Sequence, residues 1–149
     1  MSLKDWLRNK WLVEHEPSPQ EIGDLVSVVD RDLEDCQTPG LSPDWRLAIA
    51  YNGALQVATA ALAAAGYRAS REAHHYRVIQ SLEYTIGVEQ SSITLLDGFR
   101  KKRNIADYER AGTVSDQETT EIVALALRLR DELVRWLAEQ HPDLLPKRT

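Results

Sequence analysis

A single cysteine in 149 residues leaves this chain unable to form an internal disulfide or to assemble a cysteine-cluster zinc site. That composition suits a reducing compartment, and the expectation is a protein of the cytoplasm. Cys36 continues the apolar stripe of its segment and is preceded by Glu34 and Asp35. Those are the surroundings of a small core hydrophobe, whereas a reactive thiol needs basic neighbours. Alternating runs of β-branched residues are missing, so no strand is expected. No apolar run approaches the roughly 20 residues needed to cross a bilayer, and the start Met-Ser-Leu-Lys-Asp-Trp is too charged for a signal peptide, so no membrane partner is expected. Positive charge is in deficit, with 18 Lys and Arg against 23 Asp and Glu. A net charge of −5 argues against broad non-specific DNA binding, which needs a basic surface to displace counterions. Any nucleic-acid contact must be local.

Proline and the glycines Gly40, Gly66, Gly87 and Gly112 fall between or at the ends of periodic segments, and each long segment repeats its apolar residues at three and four, the spacing of one helix face. A short N-terminal helix is expected around Leu3 to Val13. Ser18-Pro19-Gln20-Glu21 reads as a capping box with proline at the first helical position, opening a helix with Ile22, Leu25, Val26, Val29, Leu33 and Cys36 on one face. Ser42-Pro43 starts a third helix with Trp45, Leu47, Ala48, Tyr51, Leu55, Ala58 and Leu62 inward, ending at Gly66. Its alanines, Ala58 to Ala65, permit close helix approach and equally favour helix by propensity alone. Asn52 and Gln56 lie near its inward face and need hydrogen-bond partners.

Ser70 is placed to cap a fourth helix over about Arg71 to Ile86, with Gly87 as a break. A fifth runs from about Glu89 to Arg110 and stops at Gly112. Ser115-Asp116-Gln117-Glu118 is a second capping box, opening a last helix that carries Ile122, Leu125, Ala126, Leu129, Leu133, Trp136 and Leu137 and ends at His141-Pro142. The fold class expected is all-α: an up-and-down antiparallel bundle of four to five long helices plus a short N-terminal helix. One domain fills residues 1–149, with 1–40 as a helical extension and 41–141 as the core bundle. A chain this long can bury about two-thirds of its unfolded surface without a metal or disulfide.

Chemistry concentrates in Arg100-Lys101-Lys102-Arg103-Asn104-Ile105-Ala106-Asp107-Tyr108. Four consecutive cations do not help a helix fold, because they repel and point in different directions around the axis. Phosphate is the natural ligand for them. Arg103 and Asp107 share a face at the four-residue spacing, where a surface ion pair contributes about 0.3 kcal/mol. Arg103 and Tyr108 are rotated about 140° from each other on an unbroken helix, so they meet at one ligand only if the helix loosens or a second copy supplies the missing partner.

The segment Arg103-Asn104-Ile105-Ala106-Asp107-Tyr108, followed by an acidic-capped last helix, resembles the HEPN family of helical bundles, in the subgroup with an Arg…Asp-Tyr motif that accompanies minimal nucleotidyltransferases. Ala65-Gly66-Tyr67 and His74-His75 add to the likeness, which spans about Trp45 to Leu137. The resemblance implies a homodimer whose Arg-Asn motifs face each other across a cleft for RNA or nucleotide. It also implies a toxin-antitoxin-type partnership with a nucleotidyltransferase. On that reading Arg103 and Tyr108 are the catalytic candidates. Arg100, Lys101, Lys102, Arg103, Asn104 and Asp107 are the RNA- or nucleotide-binding ones, and no cofactor or metal is implied.

Ribonuclease members carry histidine where Tyr108 stands. Imidazole titrates near pH 6.5, whereas a phenol is about 99.9% protonated at pH 7. Turning Tyr108 into a general base would take roughly 4 kcal/mol of differential stabilisation. The expected site is therefore suited to binding, with ribonuclease activity weak or degenerate. His74 and His75 are substitutes as proton carriers, but adjacent helical residues point about 100° apart and do not chelate one metal together. His15 and His141 sit at helix ends and need no further role. Trp45 and Trp136 read as core, while Trp6 and Trp11 dock either on the bundle or on another subunit. The competing functional expectation is a non-catalytic helical adaptor that holds a protein partner through its alanine-rich face and N-terminal tryptophans.

Overall fold

The computed structural model describes residues 1–108 and 114–145, with side chains for 1–103 and 114–145. Within them the chain is mostly helical: α1 Leu3–Arg8, α2 Pro19–Asp35, α3 Pro43–Ala64, α4 His74–Gln80, α5 Gln90–Tyr108 and α6 Asp116–Gln140. Two 3₁₀ turns, Ser81–Glu83 and Pro142–Leu144, follow α4 and α6.

Local chemistry sets these ends. The hydroxyls of Ser18, Ser42 and Ser115 accept from the backbone N–H groups of Glu21, Trp45 and Glu118, and Pro19 and Pro43 stand at first helical positions. Ser115 and Glu118 complete a reciprocal box, and so do Ser2 and Asp5, a cap the pattern reading missed. The box expected at Ser18 forms only by half. Both oxygens of the Glu21 carboxylate lie 2.8 Å from Nε2 of His15, so they are drawn away from the cap.

The expectation of helix alone is overturned by a two-stranded antiparallel sheet, β1 Leu12–Glu14 and β2 Tyr67–Ala69, with Leu12 opposite Ala69 and Glu14 opposite Tyr67. It forms because Lys10, at φ 64°, turns the chain out of α1, and Gly66, at φ 101°, turns it out of α3. Ser70 belongs to this ribbon: its N–H donates to the Trp11 carbonyl at 2.9 Å and its hydroxyl to the Lys10 carbonyl at 2.8 Å. It does not cap α4, which begins instead after Ala73, a left-handed residue without a side-chain cap.

Helix α3 lies at the centre and touches α2, α4, α5 and α6. Ala54, Ala58 and Ala61 are buried along it, and a β-carbon built on Gly53 would stand 3.4 Å from Cβ of Asp32 on α2. Small side chains thus bring these helices close. The Asn52 side chain, whose need for a partner was legible, donates to the buried Asp32 carboxylate at 2.7 Å.

By length and composition α3 is apolar enough to cross a membrane, contrary to the sequence reading, because Asn52, Gln56 and Thr59 interrupt the run without lowering its average much. In the fold 72% of its most apolar window is buried. Cys36 is fully buried, its thiol donating to the Leu33 carbonyl at 3.3 Å, and burial pushes its pKa up.

Two tryptophans depart from a simple reading. Trp45, expected inside, is 64% exposed, because it lies about 200° around α3 from the fully buried Leu47 and so on the opposite face. Trp6 is buried against its own chain, edge-on to Trp11 at 5.8 Å and to Tyr84 at 5.5 Å, while the Arg77 guanidinium lies 3.6 Å above the Trp11 ring. The first helix and β1 are thereby fastened to the rest of the fold, and α1 is shorter than expected.

Candidate functional site

The basic run occupies the second half of α5, and its cations have separate fates. Arg100 Nε donates to Asp97 at 2.7 Å, and Lys101 Nζ lies 3.6 Å from the other oxygen of the same carboxylate. These pairs follow from the three- and four-residue spacings along one helix. Lys102 reaches across to Glu118 at 2.6 Å, joining α5 to the first turn of α6, and this contact is the main reason the Glu118 carboxyl sits below its ordinary pKa. Arg103 has no ion pair among the described residues, and its Nε is buried without a hydrogen-bond partner there. The expected Arg103–Asp107 pair involves a side chain outside the described residues.

What Arg103 does face is the centre of the fold. Its guanidinium carbon stands 5.5 Å from the ring centroid of Tyr51, a side chain of α3 with 0% exposure and a hydroxyl that also lacks a hydrogen-bond partner among the described residues. An unpaired buried donor costs about 1–3 kcal/mol, so two neighbouring ones are unusual. Burial pushes the Tyr51 phenol up to about 12; Arg100 and Arg103 oppose the shift and Asp97 adds to it. At neutral pH the group is therefore a hydroxyl and can donate.

Helix α4 forms the third side. The guanidinium of Arg100 lies 5.8 Å from the ring centroid of Tyr76, which is partly exposed and has Arg77 at 5.9 Å. His75 is near enough to feel both arginines. Partial burial lowers its imidazole pKa most, followed by the charges of His74, Arg103 and Arg100. An imidazole so lowered is neutral at pH 7 and can accept a proton.

The two histidine rings sit edge to face at 5.8 Å. His74 lines a cleft of about 560 Å³ together with Glu21, Asp24, Arg68 and Thr59. Arg103 is not among the residues lining that cleft, and the cleft's two carboxylates repel an anion.

Of the residues expected from sequence, Arg100 and Arg103 thus gather with Tyr51, His75, Tyr76 and Asp97. Lys101 and Lys102 are paired with the carboxylates of Asp97 and Glu118. Asn104, Asp107 and Tyr108 continue α5, and their side chains lie outside the described residues. Pattern reading missed Tyr51 and Tyr76 as site residues. Tyr51 was legible only as core, and nothing local marks either as a neighbour of α5. No group of three or more His, Cys, Asp or Glu side chains stands together as a metal site among the described residues.

Comparisons with family models, with curated proteins and with solved structures find no match to this chain.

Proposed function

We propose that this chain is a HEPN-like protein that binds RNA or a nucleotide through phosphate, acting as a homodimer in the cytoplasm. In this reading the helices adopt the antiparallel up-and-down bundle, with the Arg103 segments of two copies lining one cleft, and a minimal nucleotidyltransferase is the partner. One observation carries it. Arg103, alone of the four consecutive cations, has no counter-anion among the described residues, although its guanidinium is partly buried beside a neutral phenol. A guanidinium in that position is a strong fork for phosphate oxygens.

Tyr76 supports the same reading, since an exposed ring between two guanidinium groups is the arrangement on which a base stacks. Binding is the primary role. If the bound RNA is also cut, His75 is the group suited to take the proton, because its imidazole is neutral at pH 7 and lies beside the arginines.

Against the adaptor reading, Ala58, Ala60, Ala61 and Trp6 are buried within the chain and Trp11 is partly buried. The test is binding of a fluorescent single-stranded RNA and of ATP to wild type and to Arg103→Ala, with mass measured by light scattering. A dimer whose affinity falls at least tenfold on substitution is the expected result, that factor corresponding to about 1.4 kcal/mol. Equal affinity in the two proteins removes the site.

A further inference from the structure

We propose that the Tyr51 hydroxyl and the Arg103 guanidinium form a two-donor subsite for a single phosphate oxygen, with Tyr51, far from the basic run in sequence, acting as a ligand-binding residue. The inference rests on the phosphate-binding reading above and adds to it the group behind Arg103.

Three observations lead to it. Tyr51 is fully buried at the middle of α3, where a phenylalanine would satisfy packing equally well, yet its hydroxyl has no hydrogen-bond partner among the described residues. Arg103 Nε is likewise buried and without a hydrogen-bond partner among the described residues, and the guanidinium stands 5.5 Å from the Tyr51 ring centroid. Asp97, the carboxylate that acts on Tyr51 among the described residues, is already engaged by Arg100 at 2.7 Å and Lys101 at 3.6 Å.

Two buried donors therefore stand on neighbouring side chains, with no acceptor for either among the described residues. Buried donors are ordinarily satisfied, so the missing partner must bring lone pairs. Since one donor is a cation, a charged acceptor is favoured over a neutral one. Phosphate fits better than a single carboxylate. One of its oxygens can take the hydroxyl and Nε while another meets the exposed edge of the guanidinium. The phenol stays protonated over the whole physiological range, so this hydrogen bond is always available.

The oxygen has two sources, a phosphodiester of single-stranded RNA or the phosphate of a free nucleotide. The experiment uses Tyr51→Phe, Arg103→Ala and the double variant, with anisotropy of a labelled RNA dodecamer at fixed salt and competition by ATP and by inorganic phosphate. Tyr51→Phe is expected to weaken binding about tenfold. The double variant should bind within about threefold of Arg103→Ala, because the two donors serve one oxygen. Competition by ATP at lower concentration than inorganic phosphate assigns the site to a nucleotide; displacement only by unlabelled RNA assigns it to the chain backbone.

A second readout needs no substitution. Excess inorganic phosphate should raise the melting temperature of the wild-type protein, and should do so less in Tyr51→Phe. If Tyr51→Phe binds RNA like wild type while Arg103→Ala does not, the subsite is wrong and the broader reading stands. If Arg103→Ala also binds like wild type, both fall.

Discussion

At the scale of single residues, most polar side chains in the interior have a structural account, which isolates the few that do not. Asn52 and Asp32 show the ordinary case: an amide on α3 donates to a buried carboxylate on α2, which also receives Arg31 at 3.3 Å. Removing the amide leaves the carboxylate short of a partner, and a buried unsatisfied charge costs more than the hydrogen bond itself contributes. Asn52→Ala is therefore expected to lower unfolding free energy by about 2 kcal/mol, measured by urea denaturation. A loss below roughly 0.5 kcal/mol would show that the contact is not maintained in solution. Against that background the Tyr51 hydroxyl and Arg103 Nε, like Trp6 Nε1, have no hydrogen-bond partner among the described residues, and the first two belong to neighbouring side chains.

At the scale of elements, α3 explains both the packing and the position of the site. It is buried on nearly every side because its alanines and Gly53 let four other helices come near, and Tyr51 is one of its few large side chains. Gly53 tests the closeness directly. Its backbone is helical, and a β-carbon there meets Asp32 Cβ at 3.4 Å and Leu33 Cδ2 at 3.7 Å, which is ordinary contact.

Gly53→Ala should be neutral or stabilising by up to about 1 kcal/mol, because alanine favours helix, whereas Gly53→Leu should destabilise by about 1–3 kcal/mol through overpacking against α2. Thermal melts of both variants check this, and a leucine tolerated as well as alanine would mean that α2 and α3 are farther apart than described. The same element shows where pattern reading succeeds. The caps at Ser42, Ser18 and Ser115 were legible because they depend on residues three apart in sequence. The ribbon of β1 and β2 was not, since its partners lie more than fifty residues apart and neither strand alternates clearly enough to announce itself.

At the scale of the molecule, charge and folding are linked through pH. Hydrogen bonds hold several carboxyls below their ordinary pKa: Asp5 through the backbone N–H of Ser2, Glu89 through the Ser92 hydroxyl and Glu118 through Lys102. A carboxyl that is more acidic when folded stabilises the protein above its unfolded pKa, near 4 to 4.5, and that contribution disappears as pH falls through the folded value.

His75 acts in the same direction at higher pH. Its lowered imidazole pKa means that the unfolded chain takes the proton first, so stability is whole above about 6.5 and declines as pH falls through the folded value. These groups are largely solvent-accessible, so each effect is modest. The urea midpoint should be level above about pH 7, dip slightly toward pH 5.5 and fall further below about pH 4.5. His75→Gln should remove the first dip and leave the second. A midpoint that rises steadily on acidification would contradict the assignment.

Helix identity, most caps and the buried character of Cys36 were readable along the chain, since they rest on interactions among residues a few positions apart. The basic run was readable too, because charge is visible without coordinates. Which of its four cations has no counter-anion among the described residues was not, because Glu118, Tyr51 and His75 arrive from other helices. Long-range packing alone turned Trp45 outward, closed Trp6 onto Tyr84 and set a phenol behind Arg103. Such pairings depend on how helices cross, and a one-dimensional pattern contains periodicity but no crossing geometry.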